Sequence, residues 1–167
     1  MTLTAYIGLG SNLEDPPAQL RRALRALAAL PGIDALRSSS FYRTPPMGPP
    51  DQPDYVNAVA ECRTGLEPEA LLDALQAIEQ AQGRIRDGVR WGPRTLDLDL
   101  LAMGDLRIET PRLRLPHPGI AERAFVLVPW AELAPDWVVP GLGRIRDLLS
   151  RVDVSGIERL EEDSLPE

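Results

Sequence analysis

The stretch that decides the fold is residues 90–101, Arg-Trp-Gly-Pro-Arg-Thr-Leu-Asp-Leu-Asp-Leu-Leu. Its second half alternates leucine with aspartate, which is the period-two pattern of a β-strand with one buried face and one polar face. Asp97 and Asp99 project from the same side of such a strand, with Cα atoms roughly 6.5 to 7 Å apart, while the leucines pack beneath. Two interpretations of the pair stay open: a solvated strand face, or two carboxylates that bind Mg²⁺.

Arginines cluster just before the two aspartates. Arg84, Arg86, Arg90 and Arg94 precede them in the chain, and Trp91 lies among these arginines. Guanidinium groups form paired hydrogen bonds with phosphate oxygens. The surroundings therefore favour the second interpretation, an acidic metal site beside a phosphate-binding site.

Length and charge limit the kinds of protein that this chain can be. Its 167 residues and 18.3 kDa fit one domain, and no apolar run approaches the roughly 20 residues of a membrane span. The net charge of −7 and the pI near 4.8 argue against a protein that binds nucleic acid without sequence preference. All 18 basic residues are arginine, so guanidinium groups and a protonated His117 are the only side-chain cations available to phosphate.

Cys62 and His117 are the only residues of their types. A single cysteine cannot form an internal disulfide, and its apolar setting favours a buried, unreactive thiol. A single histidine excludes a His-rich zinc site, and no Gly-x-Ser-x-Gly motif supports a serine hydrolase. Because the N-terminus lacks the pattern of a secretory signal, we expect a cytoplasmic protein that binds neither membranes nor nucleic acids.

Hydrophobic periodicity divides the chain into strands and helices. The predicted strands are Thr2 to Leu9, Ile33 to Tyr42, Tyr55 to Glu61, the Asp-x-Asp strand up to Met103, and a return strand around Leu106 to Glu109. The predicted helices are Glu14 to Leu30, Glu67 to Gly83, Ile120 to Leu133, and Gly143 to Arg151.

Glycine and proline mark the connections between these elements. The segment from Gly8 to Asn12 predicts a tight strand-to-helix turn, and Gly104-Asp105 predicts a hairpin turn. The proline-rich segment 44–53 is too restricted for a helix or a central strand, and it is either a spacer or the wall of a binding site. Pro129 argues against an unbroken helix there.

The order of the elements predicts the fold class. We expect an α+β protein with a ferredoxin-like βαββαβ sandwich, extended by extra strands and C-terminal helices, although mixed strand pairing stays open. Residues 1–157 are expected to form a single domain, and residues 158–167 an acidic tail that frays.

The clustered chemistry indicates an enzyme that moves a phosphoryl-type group from a nucleotide to a small planar acceptor. Such transfer needs alignment and charge neutralisation more than covalent help, so carboxylates that hold Mg²⁺ together with arginines are sufficient. Two alternatives are a binding module without catalysis, and a different Mg²⁺-dependent nucleotidyl or phosphoryl transferase.

Five blocks of sequence narrow these alternatives. They are residues 41–46 (Phe-Tyr-Arg-Thr-Pro-Pro), 51–57 (Asp-Gln-Pro-Asp-Tyr-Val-Asn), 83–86 (Gly-Arg-Ile-Arg), 90–99 (Arg-Trp-Gly-Pro-Arg-Thr-Leu-Asp-Leu-Asp) and 115–118 (Leu-Pro-His-Pro). Together they resemble successive motifs of the 6-hydroxymethyl-7,8-dihydropterin pyrophosphokinase family, and the resemblance runs from about Ala5 to Pro135. Gly119 and Asp87 depart from it, because many relatives are more basic there.

The resemblance implies an activity in folate biosynthesis. The enzyme would transfer diphosphate from ATP to the hydroxymethyl group of 6-hydroxymethyl-7,8-dihydropterin and release AMP. ATP would be a co-substrate bound with two Mg²⁺ ions, and we expect the enzyme to act as a monomer.

The resemblance also implies roles for individual residues. The catalytic residues would be Asp97, Asp99, Arg84 and Arg94, of which Asp97 and Asp99 would also be the metal ligands. The residues that bind ATP would be Gln76, Glu79, Arg84, Arg94, Arg112, His117 and Arg123. The residues around the pterin would be Thr44, Pro45, Met47, Tyr55, Asn57, Trp91 and Phe125.

Overall fold

The computed structural model describes residues 2–12, 15–45, 54–82 and 96–160. The strands in these ranges are β1 (Leu3–Ser11), β2 (Ile33–Ser38), β3 (Tyr42–Thr44), β4 (Tyr55–Thr64), β5 (Asp97–Met103), β6 (Ile108–Glu109), β7 (Arg114–Leu115), β8 (Val138–Val139), β9 (Gly143–Arg144) and β10 (Glu158–Arg159). The α-helices are α1 (Pro16–Ala28), α2 (Pro68–Ala81), α3 (Ala124–Leu133) and α4 (Ile145–Leu149), and Ile120–Glu122 form a 3₁₀ turn.

The main sheet confirms the predicted α+β, ferredoxin-like plan. Its strands lie in the order β10-β3-β4-β1-β5, and β2 pairs with β4 beyond the end of β3. All pairings in this sheet are antiparallel, which resolves the question of mixed pairing for the described strands. The predicted strand from Ile33 to Tyr42 is split in two, because the register of β2 against β4 shifts between Asp34 and Arg37 and Ser39 then bonds to Val59.

Two pairs of helices cover the two faces of this sheet. On the first face, leucines of α1 and α2 pack against Ala5, Ile7 and Leu9 of β1 and against Leu98 and Leu100 of β5. On the second face, α3 and α4 pack against Tyr6 and neighbouring apolar residues. Period-two alternation along β1 sends successive residues into these two separate clusters.

Several predicted connections differ from the structure. The glycines of the expected turn at Gly8 to Asn12 lie inside β1, which continues to Ser11 because it stays paired with β4. The return strand after Gly104 is only Ile108–Glu109, and it pairs with β7 instead of β5.

The C-terminal part of the chain differs as well. The expected helix from Ile120 is broken at Arg123, and Pro129 lies within α3. The expectation that the tail frays from Glu158 is wrong for its first residues, since β10 pairs with β3 and Leu160 donates its N–H to the carbonyl of Phe41. The rest of the tail, 161–167, lies outside the described residues.

No helix within the described ranges combines the length and the apolar character that crossing a membrane requires.

Candidate active site on the second face of the sheet

Asp97 and Asp99 lie on the second face of β5, as the alternation predicts. Strand β1 faces them with two glycines, since Gly10 is the register partner of Asp97 and Gly8 is the partner of Asp99. Directly opposed residues of an antiparallel pair share a face, so no β1 side chain lies beside either carboxylate. Asp99 is exposed and Asp97 half-buried. The pair is therefore open to a ligand.

A buried glutamate holds the backbone between the two aspartates. Glu79 of α2 is only 4% exposed, and its Oε2 accepts a 2.7 Å hydrogen bond from the backbone N–H of Leu98. The family resemblance assigns Glu79 to ATP binding. In the structure this carboxylate also fixes the strand that carries the aspartates, a charge-assisted contact.

Thr44, Asn57 and Gly10 form a tight cluster beside the carboxylates. Thr44 Oγ1 donates to Asn57 Oδ1 at 2.7 Å, and Asn57 Nδ2 donates to the carbonyl of Leu9 at 3.4 Å. A Cβ atom on Gly10 would lie 2.7 Å from Asn57 Nδ2, closer than packing allows. Glycine at this position therefore lets the Asn57 amide lie across β1.

Tyr55 links this cluster to the carboxylates. It is the register partner of Thr44, and it shares a strand face with Asn57. Burial and then the negative charge of Asp97 raise the pKa of the Tyr55 hydroxyl. The predicted pterin residues on β3 and β4 thus lie close enough to Asp97, a predicted metal ligand, for its charge to act on them. Pro45 is exposed at the end of β3.

Arg112 and Gln76 meet over the exposed side of α2. Gln76 Oε1 accepts from Arg112 Nη2 at 3.4 Å, and the same guanidinium pairs with Glu69 at 3.3 Å and with Asp73. Two of the predicted ATP-binding residues are therefore neighbours. Two acidic residues of α2 compete with any phosphate for Arg112.

The loop after β7 carries His117 and leads to the start of α3, where Arg123 and Phe125 lie. The backbone N–H of His117 donates to the carbonyl of Leu101 on β5 at 2.9 Å. In the imidazole ring of the same residue, Nδ1 lies 2.6 Å from the carbonyl oxygen of Pro118. Because a carbonyl oxygen only accepts, Nδ1 carries the hydrogen, and Nε2 can donate only when the ring is protonated.

The guanidinium of Arg123 lies 5.9 Å from the centre of the Phe125 ring. A residue predicted for ATP and one predicted for the pterin are thus adjacent at the start of α3. A Cβ atom on Gly119, which departs from the family pattern, would lie 3.1 Å from Arg123 Nε.

Four predicted site residues, Arg84, Arg94, Met47 and Trp91, lie outside the described residues.

Sequence reasoning missed three contributions to this site. Gly8 and Gly10 carry no chemical signal, and their role depends on which strand lies beside them. The contact from Glu79 to the Leu98 N–H joins residues that are 19 positions apart, which no local pattern reveals.

The two carboxylates suit a metal ion that takes most of its ligands from water and from the substrate. Within residues 2–12, 15–45, 54–82 and 96–160, no three acidic, histidine or cysteine side chains converge to form a complete metal site. Two adjacent carboxylates on an open face fit Mg²⁺, which usually keeps several waters and binds through one or two carboxylates plus substrate phosphates.

Comparison with known proteins identifies the family. The family model for 7,8-dihydro-6-hydroxymethylpterin-pyrophosphokinase (HPPK) matches residues 6–135. The chain belongs to this family. It is therefore a pyrophosphokinase of folate biosynthesis, which transfers pyrophosphate from ATP to the hydroxymethyl-dihydropterin.

Relatives match nearly the whole HPPK chain. The 2-amino-4-hydroxy-6-hydroxymethyldihydropteridine pyrophosphokinase of Pseudomonas aeruginosa is 49% identical over 160 residues, which is 96% of this chain and 98% of the relative. The enzyme of the same name from Haemophilus influenzae is 50% identical over 149 residues, which is 89% of this chain and 92% of the relative.

Solved structures of HPPK-DHPS chains share the fold. A wild-type Plasmodium falciparum HPPK-DHPS with SDX-DHP superposes with a TM-score of 0.70 at 14% identity over 94% of this chain. An HPPK-DHPS in complex with substrates gives a TM-score of 0.73 at 13% identity over 95% of it. This chain spans under half of those longer chains, 47% and 46% respectively.

Proposed function

We propose that the transfer depends on Mg²⁺ and that Asp97 and Asp99 are its protein ligands, with two ions bound together with ATP. The observation that carries the proposal is the open same-face carboxylate pair opposite Gly10 and Gly8. When bound, Mg²⁺ would neutralise charge on the phosphate oxygens and orient them. The chain's part is to hold both acids at a fixed spacing, which the Glu79 contact to the strand backbone supports.

ATP would lie between α2, the loop after β7 and the start of α3. Among the described residues, its contacts would be Gln76 and Arg112 on one side and His117 and Arg123 on the other, and Glu79 would support the strand beneath. Arg84 and Arg94 would add guanidinium groups near the transferring phosphates, by their positions in the family motifs. For phosphate binding, Arg112 must exchange Asp73 and Glu69 for phosphate oxygens.

The pterin would lie between the Tyr55 side of the sheet and Phe125, with Trp91 over it and Met47 and Pro45 at its rim. A flat heterocycle gains contact area from aromatic rings and specificity from a few polar groups. The Asn57 amide supplies both a donor and an acceptor, and the hydrogen bond from Thr44 fixes which end of the amide faces the ligand.

In the transfer, the pterin hydroxymethyl oxygen forms a bond to the β-phosphorus of ATP. The bond from that phosphorus to the oxygen shared with the α-phosphate breaks, so AMP leaves with that oxygen and the hydroxyl proton is released. The residues of the chain align the two substrates and neutralise charge instead of forming a covalent intermediate.

The test is the identity of the nucleotide released. Purified protein is mixed with ATP, Mg²⁺ and 6-hydroxymethyl-7,8-dihydropterin, and the products are separated by chromatography. We expect AMP in equal amount to the pyrophosphorylated pterin, with no turnover in excess EDTA and recovery on adding Mg²⁺. Release of ADP would show an ordinary kinase reaction and would contradict attack at the β-phosphorus.

We further propose that the main sheet, including β10, and the helices on its two faces act as one domain, as a monomer in the cytoplasm. The main antiparallel sheet, with a helix-covered core on each face, supports the single domain. Sedimentation at micromolar concentration with and without both substrates would reveal any dimer.

A further inference from the structure

A carboxylate on α3 joins the strand that carries Thr44 to the helix that carries Phe125. Glu132 Oε1 accepts a 2.6 Å hydrogen bond from the Tyr42 hydroxyl. The backbone N–H of Ser40 lies 3.0 Å from both carboxylate oxygens, and Ser40 Oγ donates to Oε2 at 3.0 Å. One side chain thus collects three donors from the chain around the start of β3.

The Tyr42 end of this contact adjoins the pterin residues. Tyr42 is the register partner of Asn57, and the two share the second face of the sheet. Thr44 lies on the same face two residues further along β3, and it holds the Asn57 amide. Tyr42 itself is only 8% exposed, so it has little room to move.

At its other end, the contact lies on the side of α3 that carries Phe125. The two residues are seven apart on α3, so they lie on nearly the same side of the helix, about 10 Å apart along its axis. The helix runs opposite to β2 and β3, because the carbonyl of Leu133 accepts from Arg37 on β2 while Glu132 accepts from Ser40 and from Tyr42 on β3. The direction from Glu132 to Phe125 along α3 is therefore the same as the direction from Tyr42 to Thr44 along β3.

We propose that Glu132 is a positioning residue for the pterin pocket, which sets the spacing between Phe125 on α3 and the Asn57 amide on the sheet. The inference rests on the proposed function, which places the pterin between these two elements. A flat ligand held between two walls binds with an affinity that depends on the width of the gap, since small gaps forfeit much of the contact energy. Glu132 itself touches neither substrate in this assignment.

The chain offers a matched control on the same face of the sheet. Glu61 accepts a hydrogen bond of the same length, 2.6 Å, from the Tyr6 hydroxyl, and it also pairs with Arg37. This contact lies four residues along β4 from Asn57, away from the predicted pterin residues. Loss of either carboxylate removes a tyrosine contact, but of the two only Glu132 bonds to β3, the strand that carries Thr44.

The experiment measures the dissociation constants of 6-hydroxymethyl-7,8-dihydropterin and of α,β-methylene-ATP, together with kcat and KM, for wild type, Glu132→Ala, Glu132→Gln, Tyr42→Phe and Glu61→Ala. For Glu132→Ala we expect the pterin Kd and KM to rise about tenfold, with the nucleotide Kd and kcat within about twofold of wild type. Glu132→Gln and Tyr42→Phe should each raise the pterin Kd about threefold, because each keeps part of the contact. Tyr42→Phe should add little in a Glu132→Ala background.

Glu61→Ala should lower the Tm about as much as Glu132→Ala while the pterin Kd stays within about twofold of wild type. An unchanged pterin Kd in Glu132→Ala, or an equal loss in Glu61→Ala, would overturn the inference, since either result shows a general effect on stability. If Glu132→Ala does not fold, Tyr42→Phe decides by the same measurement. A wild-type protein that neither binds the pterin nor releases AMP would instead refute the proposed function.

Discussion

The two faces of β5 and β1 are built for different purposes. On the first face, Leu98 and Leu100 of β5 are at most 5% exposed and pack against α1 and α2. On the second face, the same strand presents Asp97 and Asp99, and β1 opposes them with glycine. The rigid apolar side fixes the backbone from which the polar side works, so a functional site placed on strands can be precise without many contacts of its own.

The second face itself differs between its two ends. Tyr6, Val59 and Leu101 join the cluster under α3 and α4, where the sheet is covered. Further along the same face, Gly10 of β1 is in register with Asn57 of β4 and with Asp97 of β5. The covered half belongs to the core, and the half with small and polar residues is the part of this face where we propose that the substrates bind.

The largest expected effect separates the two sides of β5. Asp97→Asn and Asp99→Asn should each lower kcat/KM by about 10³-fold, because a neutral amide is a poor Mg²⁺ ligand, with a Tm near that of wild type. Leu98→Ala on the other side should lower the free energy of unfolding by about 2 to 4 kcal/mol and leave the folded enzyme active. AMP formation and thermal melts measure the two effects, and a reversed pattern would refute the division.

A smaller effect distinguishes the two glycines of β1. Gly10→Ala should raise the pterin Kd about tenfold, since its methyl group would lie 2.7 Å from Asn57 Nδ2 and displace the amide. Gly8→Ala should leave the pterin Kd and the Tm almost unchanged, because its nearest neighbour is a Leu101 side chain at an ordinary 3.6 Å. Equilibrium titration with the pterin compares the two variants, and equal losses would mean that the Asn57 amide is not held as described.

The smallest effect concerns the thiol buried on the first face. Burial raises the pKa of Cys62 to about 11. A raised pKa in the folded state gives stability that is complete below the pKa of the unfolded thiol and is lost as the pH rises toward 11. Between pH 8 and pH 10, wild type should therefore lose about 1 kcal/mol more unfolding free energy than Cys62→Ala. Urea titrations at both pH values test this, and parallel curves would contradict it.

Local patterns predicted much of this division. The leucine–aspartate alternation predicted the sides on which residues 97–100 of β5 lie, and the structure confirms it. The helix periodicity also predicted α1 and α2, because an amphipathic stripe has few other ways to be buried. The turn predicted at Gly8 to Asn12 was wrong, since glycine is as compatible with a turn as with a strand that must leave space.

The sequence by itself determined the family, the order of elements and the same-face carboxylates, because each depends on residues close together in the chain. Only the tertiary structure decided that glycines oppose the aspartates, that Glu79 fixes the backbone between them, and that Glu132 joins α3 to Tyr42. The last of these contacts joins residues 90 positions apart. Strand register and helix docking set such distances, and both follow from the packing of the whole core.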